Sequence, residues 1–338
     1  MLKNTRGRLA LIWFCTLLLL AGSAALSLLG GRYGMDLSEI AGVLSGGLFG
    51  EGTDTMGYAV LWKLRMPRIL LDALVGAGLA LAGAAFQGIF RNPLVSPGVL
   101  GVSSGAAFGA ALGILLSGVN GFSMALAMLF GLVSVAFTYS LARVRGQVSS
   151  LSLVLSGMIV SAVFSALISI IKYVADPYDK LPAITYWLMG SFANASYENV
   201  QYAGIPILLS GALLLALRWR INVLSLGDEE AKSIGVQPAR IRRSVILLAT
   251  IMTASGVMVS GTIGWVGLVI PHICRMIIGV DHGKLLPLSA AVGAIFLILV
   301  DFTARTATAG EIPIGILTAI IGAPFFAVLF KRTKGAWQ

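Results

Sequence analysis

Charge is what this sequence has least of. Only 11% of its 338 residues are Asp, Glu, Lys or Arg, against roughly 25% in soluble domains. Meanwhile 57% are hydrophobic and the mean hydropathy is +0.92. That excludes an ordinary water-soluble domain and marks an integral membrane protein. Histidine is scarce: His272 and His282 are the two in the chain, with no HxxxH or HExxH spacing, so no helical metal site is expected. Cysteine is as rare. Cys15 and Cys274 lie far apart, in or beside apolar runs, and read as packing residues, not as a disulfide or metal pair. No GxxxxGK[ST] occurs; the nearest run, Gly279 to Leu285, has the wrong spacing and no hydroxyl, so the chain lacks a phosphate-binding loop for ATP. A paired-carboxylate site is also missing, which argues against an intramembrane enzyme. The acids within apolar runs, chiefly Asp72 and Asp301, sit near run ends beside arginines. Ion-driven carriers usually place such groups at mid-membrane, which argues against a secondary transporter or channel.

What the sequence has in abundance is long apolar runs. The first, 9–29, follows Lys3, Arg6 and Arg8. Its length of about 20 residues favours a retained span over a signal-peptide core. An exterior segment at 30–68 follows, with a short helix starting at Met35-Asp36-Leu37-Ser38. Further spans are expected at 69–90, 99–116, 122–141, 153–173, 202–217, 245–260, 263–278, 285–303 and 314–330. The expected fold is therefore all-α with about ten transmembrane helices, one transmembrane domain over residues 1–338. Several runs fall short of a full crossing. The 41 glycines suit close helix packing in lipid.

With the N-terminus inside, 17 of the 24 Lys and Arg fall on the inner side. Arg32, Lys63, Arg65, Arg68, Lys172, Lys180 and Arg305 fall on the other. This asymmetry obeys the positive-inside rule and puts both termini in the cytoplasm. It also accounts for the net charge of +10 without a nucleic-acid partner, since the basic residues lie between spans and not on one face.

The most polar stretch is 222–243, NVLSLGDEEAKSIGVQPARIRR. Acids Asp228, Glu229 and Glu230 precede Lys232 and then Arg240, Arg242 and Arg243, an order that suits a helix dipole. Gly235 is expected to end one short helix and Pro238 to begin a second. The result is a cytoplasmic knob, either a plain solvated loop or a handle for a soluble partner.

Other stretches each carry two readings. In 90–105, FRNPLVSPGVLGVSSG, two prolines and three glycines forbid a continuous helix and point to a functional turn or a helix connector. In 261–275, Gly261, Gly264 and Gly267 at spacing three suggest a smooth strip on one helix face. The segment 176–201 carries Tyr178, Tyr186, Trp187 and Tyr197, for an aromatic belt or a vestibule mouth. Arg65, Arg68 and Arg305 sit at outer span ends. They either snorkel and pair locally, Arg68 with Asp72 and Asp301 with Arg305, or form a cationic rim for an acidic partner.

Taken together, LWKLRMPRILL (61–71), GAAFQGIFRNPLVSPGVLGVSSGAAFG (83–109), YWLMGSF (186–192), LGDEEAKSIGV (226–236), GWVGLVIPHICRMIIGVDHGKLLP (264–287), DFTAR (301–305) and EIPIGILTAIIGAPFF (311–326) resemble the FecCD-type permeases of bacterial ABC importers. The resemblance implies a type II importer architecture in the cell inner membrane. It implies a homodimer or a pair with a paralogous permease, two cytoplasmic ATPase subunits that hold ATP and Mg, and an extracytoplasmic substrate-binding protein. No cofactor is expected on this chain. The resemblance turns 222–243 into coupling helices, with Gly227, Asp228, Glu229, Glu230, Ala231 and Gly235 at the ATPase contact. It casts Arg65, Arg68 and Arg305 as docking residues for the binding protein, and Ser149 and Ser150 as the cytoplasmic gate. Two positions depart from the family pattern: Ser96 replaces an acid, and the DHR turn reads Asp281-His282-Gly283-Lys284. The implied cargo is an iron–siderophore, with haem, cobalamin and molybdate open.

Overall fold

The computed structural model describes residues 2–31, 33–49, 55–144, 147–308 and 310–333. Arg32, Arg145 and Lys334, which enter the tally of basic residues, lie outside the described residues.

The apolar runs become helices in the expected order. α1 (Leu2–Leu29) is followed by α2 (Leu37–Phe49) and by α3 (Met56–Tyr58). α3 continues through a π-helical stretch, Ala59–Arg65, into α4 (Met66–Phe90). A 3-10 turn, Pro97–Leu100, leads to α5 (Val102–Ser117) and α6 (Gly121–Ala142). A two-residue antiparallel ladder, β1 (Arg143–Val144) with β2 (Gln147–Val148), precedes α7 (Ser150–Val174). Then come α8 (Lys180–Met189), α9 (Tyr197–Ala216), α10 (Arg218–Leu226), α11 (Asp228–Ser233) and α12 (Pro238–Ser260). α13 (Val266–Ile278), α14 (His282–Thr306) and α15 (Ile314–Thr333) complete the chain. Among the described residues, seven helices are long and apolar enough to cross a membrane, and three shorter apolar ones, in α5, α13 and α15, coincide with the remaining expected spans.

α4 is the axis of the molecule. In the continuous helix Met56–Phe90, 78% of the apolar window is buried within the chain, against 11% in α1. A helix apolar all round belongs in the interior, and one left open belongs against lipid. Glycine lets α4's neighbours come close. A Cβ on Gly83 would lie within 1.9 Å of the Gly267 carbonyl oxygen on α13, and one on Gly76 within 2.3 Å of the Gly293 oxygen on α14. Packing of this kind drives helix association where lipid supplies no hydrophobic push.

Two expectations need correction. The glycines at 261, 264 and 267 do not share a helix face: 261–265 is non-helical and α13 begins only at Val266. Gly261 has φ +68° and Trp265 +69°, so the chain turns sharply before the helix can start. The eighth expected span, 263–278, is thus helical from Val266 onward and is preceded by a short non-helical lead at 261–265. Cys15 is exposed on α1 and so is not a core packing residue, whereas Cys274 is buried.

The 35-residue helix Met56–Phe90 is longer than the run 69–90 predicted. At 1.5 Å per residue it spans about 52 Å, well beyond a hydrocarbon core of roughly 30 Å. Its first turns therefore project past the membrane; the π stretch there ends at Arg65, and Arg68 follows in the first turn of α4.

Candidate functional site

The knob is built from α10 and α11. α10 ends at Gly227, whose backbone (φ +149°) suits glycine, and a Cβ there would strike the Glu230 carboxylate at 1.9 Å. α11 carries its acids in the first turn, ends in a left-handed Gly235 (φ +79°), and is stitched by Val236 N–H to the Ala231 carbonyl at 2.9 Å. Two short helices therefore exist, but they meet at Gly227, not Gly235. Pro238 opens the long α12 and not a second short helix, because proline at the first helical turn starts a helix without stopping it.

Within the knob the acids have different tasks. Asp228 holds Arg242 of α12 at 3.0 Å, fixing α11 to the bundle. Ala231 is fully buried beneath. Glu229 and Glu230 are exposed; Glu229 makes an ion pair with Lys232 at 2.7 Å on the surface. That contact raises the Lys232 ammonium above its usual pKa. Leu226 (70% exposed) and Ile234 (56% exposed) flank the acids. These two apolar residues were not singled out by the sequence, since a single exposed Leu or Ile in a polar run gives no signal.

Asn222 on α10 ties the knob to the far side of the bundle. Its Nδ2 donates to Asp281 Oδ1 at 2.7 Å, and its Oδ1 accepts from the His282 backbone N–H at 2.7 Å. The same oxygen faces His282 Nδ1 at 2.8 Å. Asp281 caps α14 through Gly283 N–H at 2.9 Å. The Asn222 amide first, and then the Gly283 N–H with Lys284 and His282, holds the Asp281 carboxyl below the usual carboxylate range, against a cost of burial. On the preceding helix, Arg275 donates to Gln87 Oε1 of α4 at 2.8 Å, and Gln87 Nε2 donates to the Leu268 carbonyl at 3.3 Å. Hydrogen bonds thus tie the knob directly to the start of α14, and a separate pair of bonds through Gln87 ties α13 to α4. Neither Asn222 nor Gln87 stands out by spacing.

At the opposite end Arg65, Arg68 and Arg305 converge on a cavity of about 310 Å³, with Tyr33, Phe192 and Glu311 in its wall. Arg68 does not pair with Asp72, four residues on. It grips both oxygens of Asp301 at 2.7 to 3.1 Å and Glu311 at 2.9 to 3.0 Å. The expected Asp301–Arg305 pair is present at 3.6 Å. Arg305 also donates to the Gly30 carbonyl at 2.8 Å and to Ser27 Oγ at 2.7 Å, while Arg65 donates to the carbonyls of Leu28 and Tyr33. Asp72 is fully buried beside Asp301, and neither of its oxygens accepts a hydrogen bond among the described residues. The arginines thereby clamp the end of α1 and the starts of α4 and α15 to α14. What faces the cavity is a polar, arginine-lined wall.

A second cavity of about 500 Å³ adjoins the first and shares Ala193 and Glu311 with it. Tyr186 and Trp187 of α8 line it together with Asn194, Asn199 and Ser260. Those two aromatics therefore edge an opening whose wall is largely apolar, with a few amide and hydroxyl groups in it. Ser149 caps α7 in a capping box with Ser152, and Ser150 is the first residue of that helix, at the knob end. The turn after α4 is clasped by protein: Thr138 Oγ1 donates to the Leu100 carbonyl at 2.9 Å, and a Cβ on Gly157 would meet the Val99 oxygen at 2.1 Å. Irregular backbone beside spans needs such cover. Gly101-x-Ser103-x-Gly105 within it has the spacing of a hydrolase nucleophile elbow, but a 3-10 turn and no strand precedes Ser103.

A family model described as the FecCD transport family matches residues 17–332. The chain is 45% identical over 327 residues to a molybdate import system permease protein of Haemophilus influenzae, covering 96% of each chain. It is 41% identical over 337 residues to a probable iron chelatin transport system permease protein of Helicobacter pylori, covering 99% of this chain and all of the relative. Among solved structures, it resembles an inward-facing conformation of a metal-chelate type ABC transporter. There the TM-score is 0.84 at 44% identity, covering 94% of this chain and 98% of that one.

Proposed function

The chain belongs to the FecCD transport family, and on that premise we propose how this ABC importer permease works and what it carries. Two copies, or one copy and a paralogous permease, enclose a central path in the cell inner membrane, with both termini in the cytoplasm. Two ATPase subunits, holding ATP and Mg, grip the knob at Gly227 to Gly235. A substrate-binding protein docks at the opposite end, where Arg65, Arg68 and Arg305 receive its acidic side chains. Ser149 and Ser150 form part of the cytoplasmic gate. This chain contributes no covalent step.

The observation that carries the reading is the knob itself. Its Asp228–Arg242 pair fixes it to α12, Asn222 links it to α14, and Leu226, Glu229, Glu230 and Ile234 are left facing outward. An exposed acidic face with apolar flanks, rigidly joined to the spans, suits a two-state switch driven by a soluble motor.

The cargo is proposed as a metal-containing small molecule, an iron chelate or the oxyanion molybdate. The iron chelate follows from the family resemblance. Molybdate enters because the 45%-identical relative bears it in its name. Haem and cobalamin are set behind both.

Uptake of labelled ferric chelate and labelled molybdate, by cells with and without this gene and before and after ATP depletion, tests the proposal. Uptake that needs both the gene and ATP supports it, and the label taken up names the cargo. Gene-dependent uptake that survives ATP depletion but not loss of the ion gradient would replace the importer with a secondary transporter.

A further inference from the structure

Between the start of α1 and the turn joining α13 to α14 lies a cavity of about 390 Å³ that none of the sites above uses. Arg8, Arg275 and Lys284 line it, and no carboxylate does. Leu9, Ile12 and Ile277 supply its apolar wall. The basic groups are held in place by the fold. Arg8 Nη2 donates to the Ile277 carbonyl at 3.2 Å, at the negative end of the α13 dipole. Arg275 is anchored on Gln87 at 2.8 Å. Lys284 stands 3.8 Å from Asp281, an exposed acid outside the cavity wall.

The cavity opens on the lipid side of the molecule. α1 is the least buried of the long apolar helices, and Leu11 and Phe14, just beyond Leu9 and Ile12, are 61% and 65% exposed. A groove that is cationic at the span end and apolar along the span matches the two parts of a phospholipid. Basic pockets between helices at a membrane surface draw anionic headgroups by charge. A soluble protein would approach from the polar end, where the knob already stands, and would leave the apolar wall against lipid.

We propose that this cavity binds the headgroup of an anionic phospholipid, with the phosphate against Arg8, Arg275 and Lys284 and the acyl chain leaving along α1. The site needs the helices to span a bilayer, and it stands whatever the cargo.

The test is native mass spectrometry of the purified full-length chain with phosphatidylglycerol or phosphatidylcholine at equal concentration. The chain should retain phosphatidylglycerol in preference to phosphatidylcholine. Arg8→Gln with Lys284→Gln should weaken retention roughly thirtyfold, from the loss of two membrane-surface charges. Lys284→Gln alone, at an exposed position, should weaken it about fivefold and guards against misassembly of the double variant. Equal retention of both lipids, or unchanged retention in both variants, overturns the proposal. Displacement by glycerol 3-phosphate at the lipid's own concentration would overturn it in favour of a soluble phosphate ligand. Variants that lose ATPase subunits while keeping phosphatidylglycerol would overturn it in favour of a protein contact.

Discussion

Replacing Asn222 with alanine should separate ATP hydrolysis from transport. The substitution deletes the donor to Asp281 and the acceptor shared by the His282 backbone and ring. Two neutral hydrogen bonds at about 1 kcal/mol each and one to a carboxylate at about 1.5 kcal/mol or more give roughly 3 kcal/mol, allowing for water at the half-exposed Asp281. At about 1.4 kcal/mol per factor of ten, the link between α10 and α14 weakens on the order of 100-fold. Knob, Asp228–Arg242 pair and exposed acids remain, so the ATPase subunits should still bind and turn over. In proteoliposomes holding the assembled transporter, hydrolysis should stay within about twofold of wild type. Cargo uptake per ATP should fall about tenfold or more. An unchanged ratio of uptake to hydrolysis would refute the link.

The same bridge makes a pH prediction. Asp281 is held below its ordinary pKa, chiefly by the Asn222 amide, so its contribution is present above the ordinary carboxylate value of about 3.9 and lost as pH falls through the lower folded value. The stability gap between wild type and Asn222→Ala should therefore be flat from about pH 8 to 5 and narrow only below about 4. A gap that closes near neutrality would mean another group carries it.

Other substitutions test other parts. Glu229→Arg with Glu230→Arg should abolish uptake while leaving membrane insertion intact, because both side chains are exposed; wild-type uptake would remove the knob from coupling. Arg68→Ala leaves Asp301 buried beside Asp72 without its main partner and should cost about 3 kcal/mol or more, read as a lowered melting temperature in detergent. Gly83→Ala should destabilise by about 1–3 kcal/mol or more, since its methyl meets the Gly267 carbonyl. Gly264→Ala, with nothing within 4 Å, should melt like wild type; equal melting of the two variants would contradict the close α4–α13 approach.

The spans were legible because lipid demands long apolar helices, and a run of hydrophobic residues has few other uses. The knob was legible for the converse reason: seven ionisable residues in 228–243 stand out in a chain this poor in charge. Pairings across the fold were not. Arg68 looked nearest to Asp72 along the helix, but partners 233 and 243 residues away took its guanidinium. Asn222 carries no charge and follows no motif, so its bridge appears only once α10 is laid beside α14. The start of α13 was misplaced because hydrophobic character runs through 263–270 unbroken, while the left-handed backbone at Trp265 leaves no mark in composition.

The late helix start in the eighth span bears on how the chain enters the bilayer during synthesis. α13 has 13 residues, about 20 Å of helix, with Pro271 inside it, which is too short to partition alone. Around the non-helical lead at 261–265, Thr262 donates to the Leu188 carbonyl and Ser191 N–H to the Ser260 carbonyl at 2.8 Å. Gly190, in turn, accepts from Ile314 N–H at 2.9 Å. Residues 188–191 have left the ribosome before this segment is made; residue 314 follows some 50 residues later. The native surroundings of 261–278 are therefore complete only once α15 has been made, so this segment should be the last of the apolar runs to settle in its final place.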